Sequence, residues 1–158
     1  MHVYGWENKI KPGCSNNVKS SKLINNKTII IDECTFKEKV RAEIALNSIS
    51  DAVICTDIEC NIDYLNFAAE KITGWSREEA YGKPINQVFN TIHSSTRKRA
   101  FSPFGLVLQT NKPRILSCDI LLIKRDGTEV AIEDSTSPIH NLDGKLTGVV
   151  NHAMDSVK

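Results

Sequence analysis

Residues 115–155 read ILSCDILLIKRDGTEVAIEDSTSPIHNLDGKLTGVVNHAMD, and this stretch has the pattern of three consecutive antiparallel strands. Its first two apolar segments are separated by Arg125-Asp126-Gly127, a typical hairpin turn, and a second turn signal follows at residues 141–144. Apolar side chains at alternate positions indicate strands with one buried face. The last third of the chain is therefore predicted to form an antiparallel sheet.

The segment before this meander predicts a second pair of strands and a group of short helices. Residues 51–65 contain two short apolar runs joined by a tight turn, which is a hairpin pattern. Residues 66–112 contain short helical segments with N-cap signals such as Asn66 and Ser76, and residues 91–102 within them are polar and predicted to be irregular. Two strands separated from three by helices predict an α+β domain, with the helices on one face of an antiparallel sheet.

The amino-terminal part of the chain differs in composition from the rest. Residues 1–33 are rich in Asn, Lys and Ser and lack regular periodicity, so we expect a disordered or weakly ordered tail, interrupted at most by a short extended piece at residues 28–31. Residues 34–50 are predicted to form an amphipathic helix, and residues 51–158 form the main domain.

The predicted helix carries an apolar stripe that includes Phe36, Val40 and Ile44. Such a stripe needs a surface that buries it. That surface is either the back of the domain's own sheet or the same helix of a second copy. The three residues are therefore candidates for a homodimer interface.

Composition and charge restrict the class of protein. The chain has 158 residues, 41% of them hydrophobic, which suits one ordinary globular domain. The chain has 20 Lys and Arg and 19 Asp and Glu, which gives a net charge of +1. This balance lacks the excess of positive charge that is typical of proteins that bind nucleic acid or anionic membranes. No apolar run reaches the roughly 20 residues of a membrane span and no signal peptide is evident, so a cytoplasmic location is expected.

The sequence holds little that indicates catalysis or metal binding. It has no GxSxG elbow, no glycine-rich phosphate loop, no HExxH motif and no cluster of acid, base and nucleophile. The five cysteines are scattered without a CxxC pair, which predicts neither a disulfide framework nor a zinc site. We therefore expect no enzymatic activity in this chain.

Four stretches of the chain, taken in order, resemble the PAS domain family. They are AVICTDIECNIDYLNFAAEKITGW at residues 52–75, EEAYGKPINQVF at 78–89, LLIKRDGTEVAIEDSTSPIHNLDG at 121–144 and GVVNHAMD at 148–155. Any single piece is a weak signal, whereas the ordered set is a strong one. It is most similar to the sensory PAS modules found in front of bacterial diguanylate cyclases, phosphodiesterases and histidine kinases.

This resemblance implies a PAS fold, in which a five-stranded antiparallel sheet and short helices enclose a small cavity. Such cavities hold haem, flavin, a small metabolite or nothing. Occupancy would shift the packing between the sheet and its flanking helices, and an output domain would read that shift. In the same way the resemblance implies that Asp155 couples the domain to a downstream helix, and that the partners are signalling kinases or cyclases.

Two cofactors that the family can carry are disfavoured by the residues present. Haem-binding members usually place a ligating histidine on the helix before the third strand, and residues 102–112 contain none. Light-sensing flavin members need a reactive cysteine in the helix that corresponds to residues 81–90, which lacks one. Non-covalently bound flavin stays open, although no residue supports it, and the expected occupant of the cavity is a small metabolite or none.

Alternate side chains of the last three strands lie on one face of the sheet. The resemblance to the PAS family implies that this face is directed toward the cavity. That face, together with the tryptophan after Gly74, supplies the candidate ligand-binding residues. They are Leu116, Cys118, Ile120, Ile132, Asp134, Thr136, Asn151 and Trp75. Trp75 is either a stacking surface for a ring-shaped ligand or a plug of the core.

Asp134 is the unusual member of this set, because an ionised carboxylate among apolar neighbours costs several kcal/mol unless it has a partner. A simple hairpin at the second turn would put Asp134 opposite Asn151 on one face and Glu133 opposite His152 on the other. Asp134 then either belongs to a self-contained network with Asn151, Thr136 and trapped water, or it orients a small polar or cationic ligand.

Three functions fit these patterns. The first is a sensory PAS module, homodimeric through its amino-terminal helix, that regulates a kinase, cyclase or transcriptional output absent from this chain. The second is a ligand-free PAS module that only dimerises or docks a partner. The third is the remnant of a larger PAS-containing signalling enzyme.

Overall fold

A computed structural model describes the backbone of residues 21–24, 27–30 and 33–157, and the side chains of residues 37–115 and 119–157. The chain falls into two units, one that ends at Ala45 and one that begins at Leu46.

The first unit contains a two-stranded antiparallel hairpin. Strand β1 spans Ser21–Ile24 and strand β2 spans Lys27–Ile30. The sequence predicted only an extended piece at 28–31 in this region, because strands of four residues are too short for alternation to stand out. The rest of the predicted tail, at residues 1–20, 25–26 and 31–32, lies outside the described residues.

Helix α1, Glu33–Ser48, coincides closely with the helix predicted over residues 34–50. Most of it belongs to the first unit, and its last turn begins the second.

The second unit continues through six short elements, then helix α5, then three long strands. In chain order these are β3 (Ala52–Asp57), β4 (Ile62–Leu65), α2 (Phe67–Thr73), α3 (Arg77–Ala80), α4 (Ile85–Val88), β5 (Asn90–His93), α5 (Phe104–Thr110), β6 (Arg114–Ile123), β7 (Glu129–His140) and β8 (Leu146–Asp155).

These strands form one antiparallel sheet of six strands in the order β4-β3-β8-β7-β6-β5, rather than the five that the sequence predicted. The additional strand, β5, lies at the sheet edge and pairs with β6 from Asn90 opposite Ile123 to His93 opposite Ile120. Part of it falls in the polar segment predicted to be irregular. An edge strand keeps polar side chains because one of its sides is open to water, so its composition resembles that of a loop.

Capping residues explain why the central helices are short. Asn66 caps α2 by accepting the Ala69 N–H, and α2 ends at Gly74, whose φ of 77° is the left-handed conformation that glycine adopts easily. Ser76 and Glu79 form the predicted capping box of α3. Because these caps end each helix after a few residues, several short helices cover the sheet where one long helix would otherwise form.

The core lies between the sheet and these helices. The fully buried large apolar side chains come from both layers and are Ile54, Ile62, Leu65, Ile85, Val88, Val107, Leu122, Ile132 and Val149. Burial of each contributes on the order of 2 kcal/mol relative to exposure. The core therefore fixes the face of the sheet on which Asp134 lies, since Ile132 precedes it by two residues on β7.

The register of β7 and β8 differs from the prediction. Asp134 pairs with Ala153 and Glu133 with Met154, so neither of the predicted pairs with Asn151 and His152 is present. The turn closes one residue later than assumed, and a bulge between residues 139 and 140 adds a second residue. A displacement of two residues keeps every side chain on its face, so Asn151 still lies on the face of Asp134.

Candidate functional site

Three of the predicted polar residues form a hydrogen-bonded cluster inside the second unit. Asp134 is 3% exposed and Thr136 and Asn151 are fully buried. The Asn151 Nδ2 group donates to Asp134 Oδ2 and to Thr136 Oγ1, both at 3.1 Å. The backbone brings them together because Thr136 and Asn151 are paired across β7 and β8, and Asp134 is the next residue on the same face.

In this cluster the side-chain amide hydrogens all take part in hydrogen bonds, whereas two of the side-chain oxygen atoms do not, among the described residues. Both hydrogens of Asn151 Nδ2 are engaged, and within the described part of the chain neither Asp134 Oδ1 nor Asn151 Oδ1 has a hydrogen-bond partner. A buried acceptor without a donor costs about 1–3 kcal/mol. The cluster is thus incomplete as it stands, and its two atoms without a partner are both acceptors.

The environment of the Asp134 carboxyl changes its acidity. Burial disfavours the charged form and raises the pKa of Asp134 to about 6, although the hydrogen bond from Asn151 opposes the shift. Near neutral pH the carboxyl is therefore mostly ionised, with a proton affinity far above that of an exposed aspartate.

A small cavity of about 10 Å³ lies beside Asp134, which is room for roughly one water molecule. It runs from exposed rim residues to the buried carboxyl. Its lining consists of Asn86, Phe89, Thr91, Arg99, Ala100, Ser102, Pro103, Phe104 and Asp134. The rings of Phe89 and Phe104 meet edge to face, with centroids 6.3 Å apart. Sequence parity identified Asp134 but not these helix and loop residues, because their positions depend on how the short helices pack.

The other predicted cavity residues are divided between the core and the surface. Ile120 and Ile132 are buried opposite each other on β6 and β7 and belong to the apolar core. Leu116 pairs with Asp134 through the backbone, and its side chain and that of Cys118 lie outside the described residues.

Trp75 is not among the described residues that line the cavity beside Asp134. Its ring packs against the core and is covered by the Arg125 guanidinium, 4.4 Å from the ring centroid, and by the Lys83 ammonium at 5.7 Å. Both contacts are cation–π interactions. This environment fits the plugging role better than a stacking role.

His152 contacts a different carboxylate from the one predicted. Its Nε2 lies 3.1 Å from Asp51 Oδ2, whereas Glu133 pairs with Met154. The two-residue displacement of the β8 register is the reason. Because both side chains are more than a third exposed, the contact contributes little to stability.

Asn66 connects the last turn of α1 to the sheet, a role that its N-cap signal did not indicate. Its Oδ1 accepts the N–H groups of Val53 and Ala69, and its Nδ2 donates to the carbonyl oxygens of Leu46 and Asp51, all at 2.9 Å. The side chain is fully buried. One amide thus joins three elements, α1, β3 and α2.

A larger groove of about 750 Å³ lies next to this junction. It is bounded by residues 47–52, which run from the last residues of α1 to the start of β3, by α2 and by the end of β8, and the exposed side chains of Phe67 and Met154 line it. Asp155, the predicted coupling residue, also borders this groove and accepts the Val157 N–H through Oδ1.

The predicted dimer stripe on α1 is partly open to solvent. Val40 is 37% and Ile44 63% exposed, and the side chain of Phe36 lies outside the described residues.

The second unit is thus an antiparallel sheet that carries short helices, with a small cavity beside Asp134. The model of the PAS fold family matches residues 41–155, and the chain belongs to that family. The predicted resemblance and the predicted α+β PAS fold are confirmed.

Two curated relatives are signalling enzymes of Escherichia coli (strain K12). The probable diguanylate cyclase DgcE is 32% identical over 120 residues, which are 76% of this chain and 11% of the relative. The signal transduction histidine-protein kinase AtoS is 28% identical over 108 residues, which are 68% of this chain and 16% of the relative. The chain therefore spans only a small part of each relative.

A solved structure gives the same fold. The PAS domain of a protein from Colwellia psychrerythraea is 22% identical and covers 77% of this chain and 96% of its own, with a TM-score of 0.57.

Two absences hold for the part of the chain that the structure describes. None of its helices is long and apolar enough to cross a membrane. Nor does it contain a group of three or more His, Cys, Asp and Glu side chains placed to hold a metal ion.

Proposed function

We propose that this chain is a sensory PAS domain that binds a small ligand in the cavity beside Asp134 and regulates an output domain outside the chain. The output would be a kinase, a cyclase or a transcriptional regulator. One observation carries the proposal: a buried carboxylate with an unused acceptor oxygen faces a cavity beneath the short helices. Burying an ionised carboxylate without a full set of partners destabilises the fold, and a bound ligand that donates a hydrogen bond to it would offset that penalty.

A continuous set of backbone and side-chain bonds supports the regulatory part of the proposal. Asn151, which holds the Asp134 carboxylate, pairs with Ile54 on β3. The neighbouring Val53 N–H donates to Asn66, and Asn66 donates to the carbonyl of Leu46 on α1. A change in the position of Asn151 would therefore reach the end of α1 through one strand and one side chain.

A test of ligand binding is native mass spectrometry of the purified chain, combined with an absorbance scan. We expect a small molecule to accompany the wild-type chain and to be lost when Asp134 is replaced by Asn. The matched control is Glu133→Gln, which removes an exposed carboxyl from the adjacent position of β7. Wild-type protein that is free of small molecules and binds none of the compounds tested below would contradict the proposal.

A ligand-free interaction module is the second candidate, and the size of the cavity favours it. A volume of about 10 Å³ admits a single water-sized group unless the short helices move. In that case the cluster is a self-contained network that a trapped water completes. Native mass spectrometry would then report a clean dimer.

Dimerisation through α1 is a further part of the proposal and is tested separately. We expect Val40→Glu with Ile44→Glu to convert a dimer into a monomer, because each places a charge on a stripe that a second copy would bury. Size-exclusion chromatography with light scattering measures the change in mass. Glu43→Gln on the same helix serves as the control, and an unchanged mass in the double variant would exclude this interface.

A further inference from the structure

The hydrogen-bond inventory of the buried cluster decides which kind of atom can bind to it. After its internal bonds are made, Asn151 has no amide hydrogen to give, and the cluster atoms without a hydrogen-bond partner among the described residues are Asp134 Oδ1 and Asn151 Oδ1. Both are acceptors. Of the three cluster residues, Asp134 is the one that lines the cavity, so a ligand atom that hydrogen-bonds to its ionised carboxylate must be a donor, which excludes carboxylates and phosphates from this position.

The charge at the site favours a cation over a neutral donor. Asp134 is ionised near neutral pH and is shielded from water, so a hydrogen bond from a cation would be charge-assisted and roughly twice as strong as a neutral one. Arg99 at the exposed rim lines the same cavity, but its Nη2 donates to the Asn86 carbonyl at 3.3 Å. Within the described residues, Arg99 therefore donates no hydrogen bond to Asp134 Oδ1.

The walls of the cavity restrict the cation further. Phe89 and Phe104 are both buried and both line it, and aromatic rings attract ammonium groups and accept the alkyl carbons beside them. The volume of about 10 Å³ leaves room for one non-hydrogen atom next to the carboxylate. A quaternary ammonium is too large for this position and has no N–H to donate.

We infer that the cavity binds the protonated amino group of a small primary amine, an inference that rests on the proposed ligand-binding function. Asp134 Oδ1 accepts an N–H of the ammonium. The Asn151 Nδ2 group holds the carboxylate in position by donating to its other oxygen, Asp134 Oδ2. The substituent on the amine extends past Phe89 and Phe104 toward the rim at Asn86. Because the cavity holds only the nitrogen, the loop that ends at Pro103 must move outward to admit the alkyl carbons.

The test is a titration of the ¹⁵N-labelled full chain near neutral pH, followed by amide chemical shifts. The probes are ethylammonium chloride, tetramethylammonium chloride, sodium acetate and ethanol. We expect ethylammonium to produce saturable shifts at Asp134, Thr136 and the Asn151 side-chain amide. Tetramethylammonium, acetate and ethanol are expected to leave them unchanged, and Asp134→Asn is expected to weaken ethylammonium binding about tenfold or more. Glu133→Gln should leave the affinity unchanged.

The outcomes separate this inference from the function on which it rests. Equal responses to ethylammonium and tetramethylammonium, or an affinity that Asp134→Asn does not change, would overturn the amine assignment. Saturable binding of ethanol or acetate at these residues, without binding of ethylammonium, would also overturn it while supporting a ligand-binding cavity. Failure of all four probes, with wild-type protein that carries no small molecule, would overturn both.

Discussion

Replacing Asp134 by Asn is expected to stabilise the folded chain by roughly 3 kcal/mol near neutral pH. Burial raises the pKa of the Asp134 carboxyl from its ordinary value of 3.8 to about 6, and a shift of that size has this free-energy equivalent. The amide is uncharged, so it avoids the cost of burying a carboxylate. It can also still accept the Asn151 N–H through its own oxygen.

The stabilisation should depend on pH in a definite direction. The folded state holds the Asp134 proton more tightly than the unfolded state, so between pH 3.8 and about 6 the folded wild type binds more protons. Its stability relative to Asp134→Asn is therefore fully present below pH 3.8 and is lost as the pH rises through about 6. The two proteins should be nearly equal in acid and differ most at neutral pH.

Urea denaturation at a series of pH values measures this difference. Glu133→Gln provides the control, since that neighbouring side chain is exposed and its replacement should change the free energy of unfolding by less than about 0.5 kcal/mol. A destabilised Asp134→Asn protein at neutral pH would mean that the ionised carboxylate is well satisfied within the fold. That result would contradict the incomplete cluster on which the site is built.

Replacing Asn66 by Ala is expected to destabilise the second unit by about 3 kcal/mol or more, because it removes four hydrogen bonds of 2.9 Å at a fully buried position. The N–H groups of Val53 and Ala69 and the carbonyls of Leu46 and Asp51 would lose their partner. The Asn66→Asp variant should be similarly unstable, since it sets a carboxylate oxygen against two carbonyl oxygens.

The matched control for this prediction is Asn47→Ala at the same junction. Asn47 is half-buried, and its Oδ1 accepts the Phe67 N–H at 3.1 Å and a longer contact of 3.5 Å from Arg77. We expect a loss of about 1 kcal/mol or less there. Hydrogen exchange should also show faster exchange of the Val53 amide in Asn66→Ala alone. Equal losses for the two variants would mean that Asn66 is only one cap among several.

The order of the elements was predictable from the sequence, and the reasons are local. The turn at Arg125-Asp126-Gly127 and the caps at Asn66 and Ser76 are formed by residues close together in the chain. Their residue types and spacing can therefore be recognised in the sequence. The edge strand Asn90–His93 was missed because its stability comes from pairing with β6 and not from its own residues.

The candidate site was predictable in its chemistry but not in its shape. Alternation placed Asp134, Thr136 and Asn151 on one face, and that remained true although the register was wrong by two residues. The bulge after Ile139 and the packing of Phe104 over the sheet depend on long-range contacts that no spacing in the sequence encodes. The volume of the cavity therefore became known only from the structure.

The regulatory claim is that the state of the buried cluster reaches the end of α1 through β3 and Asn66. Its most direct test compares the ¹⁵N spectra of wild type, Asp134→Asn and Glu133→Gln near neutral pH, with the Asn66 side-chain amide and the backbone amides of Val53 and Asn47 as reporters. We predict that Asp134→Asn shifts all three signals and that Glu133→Gln shifts none of them. Changes confined to β7, β8 and the walls of the cavity would contradict the claim.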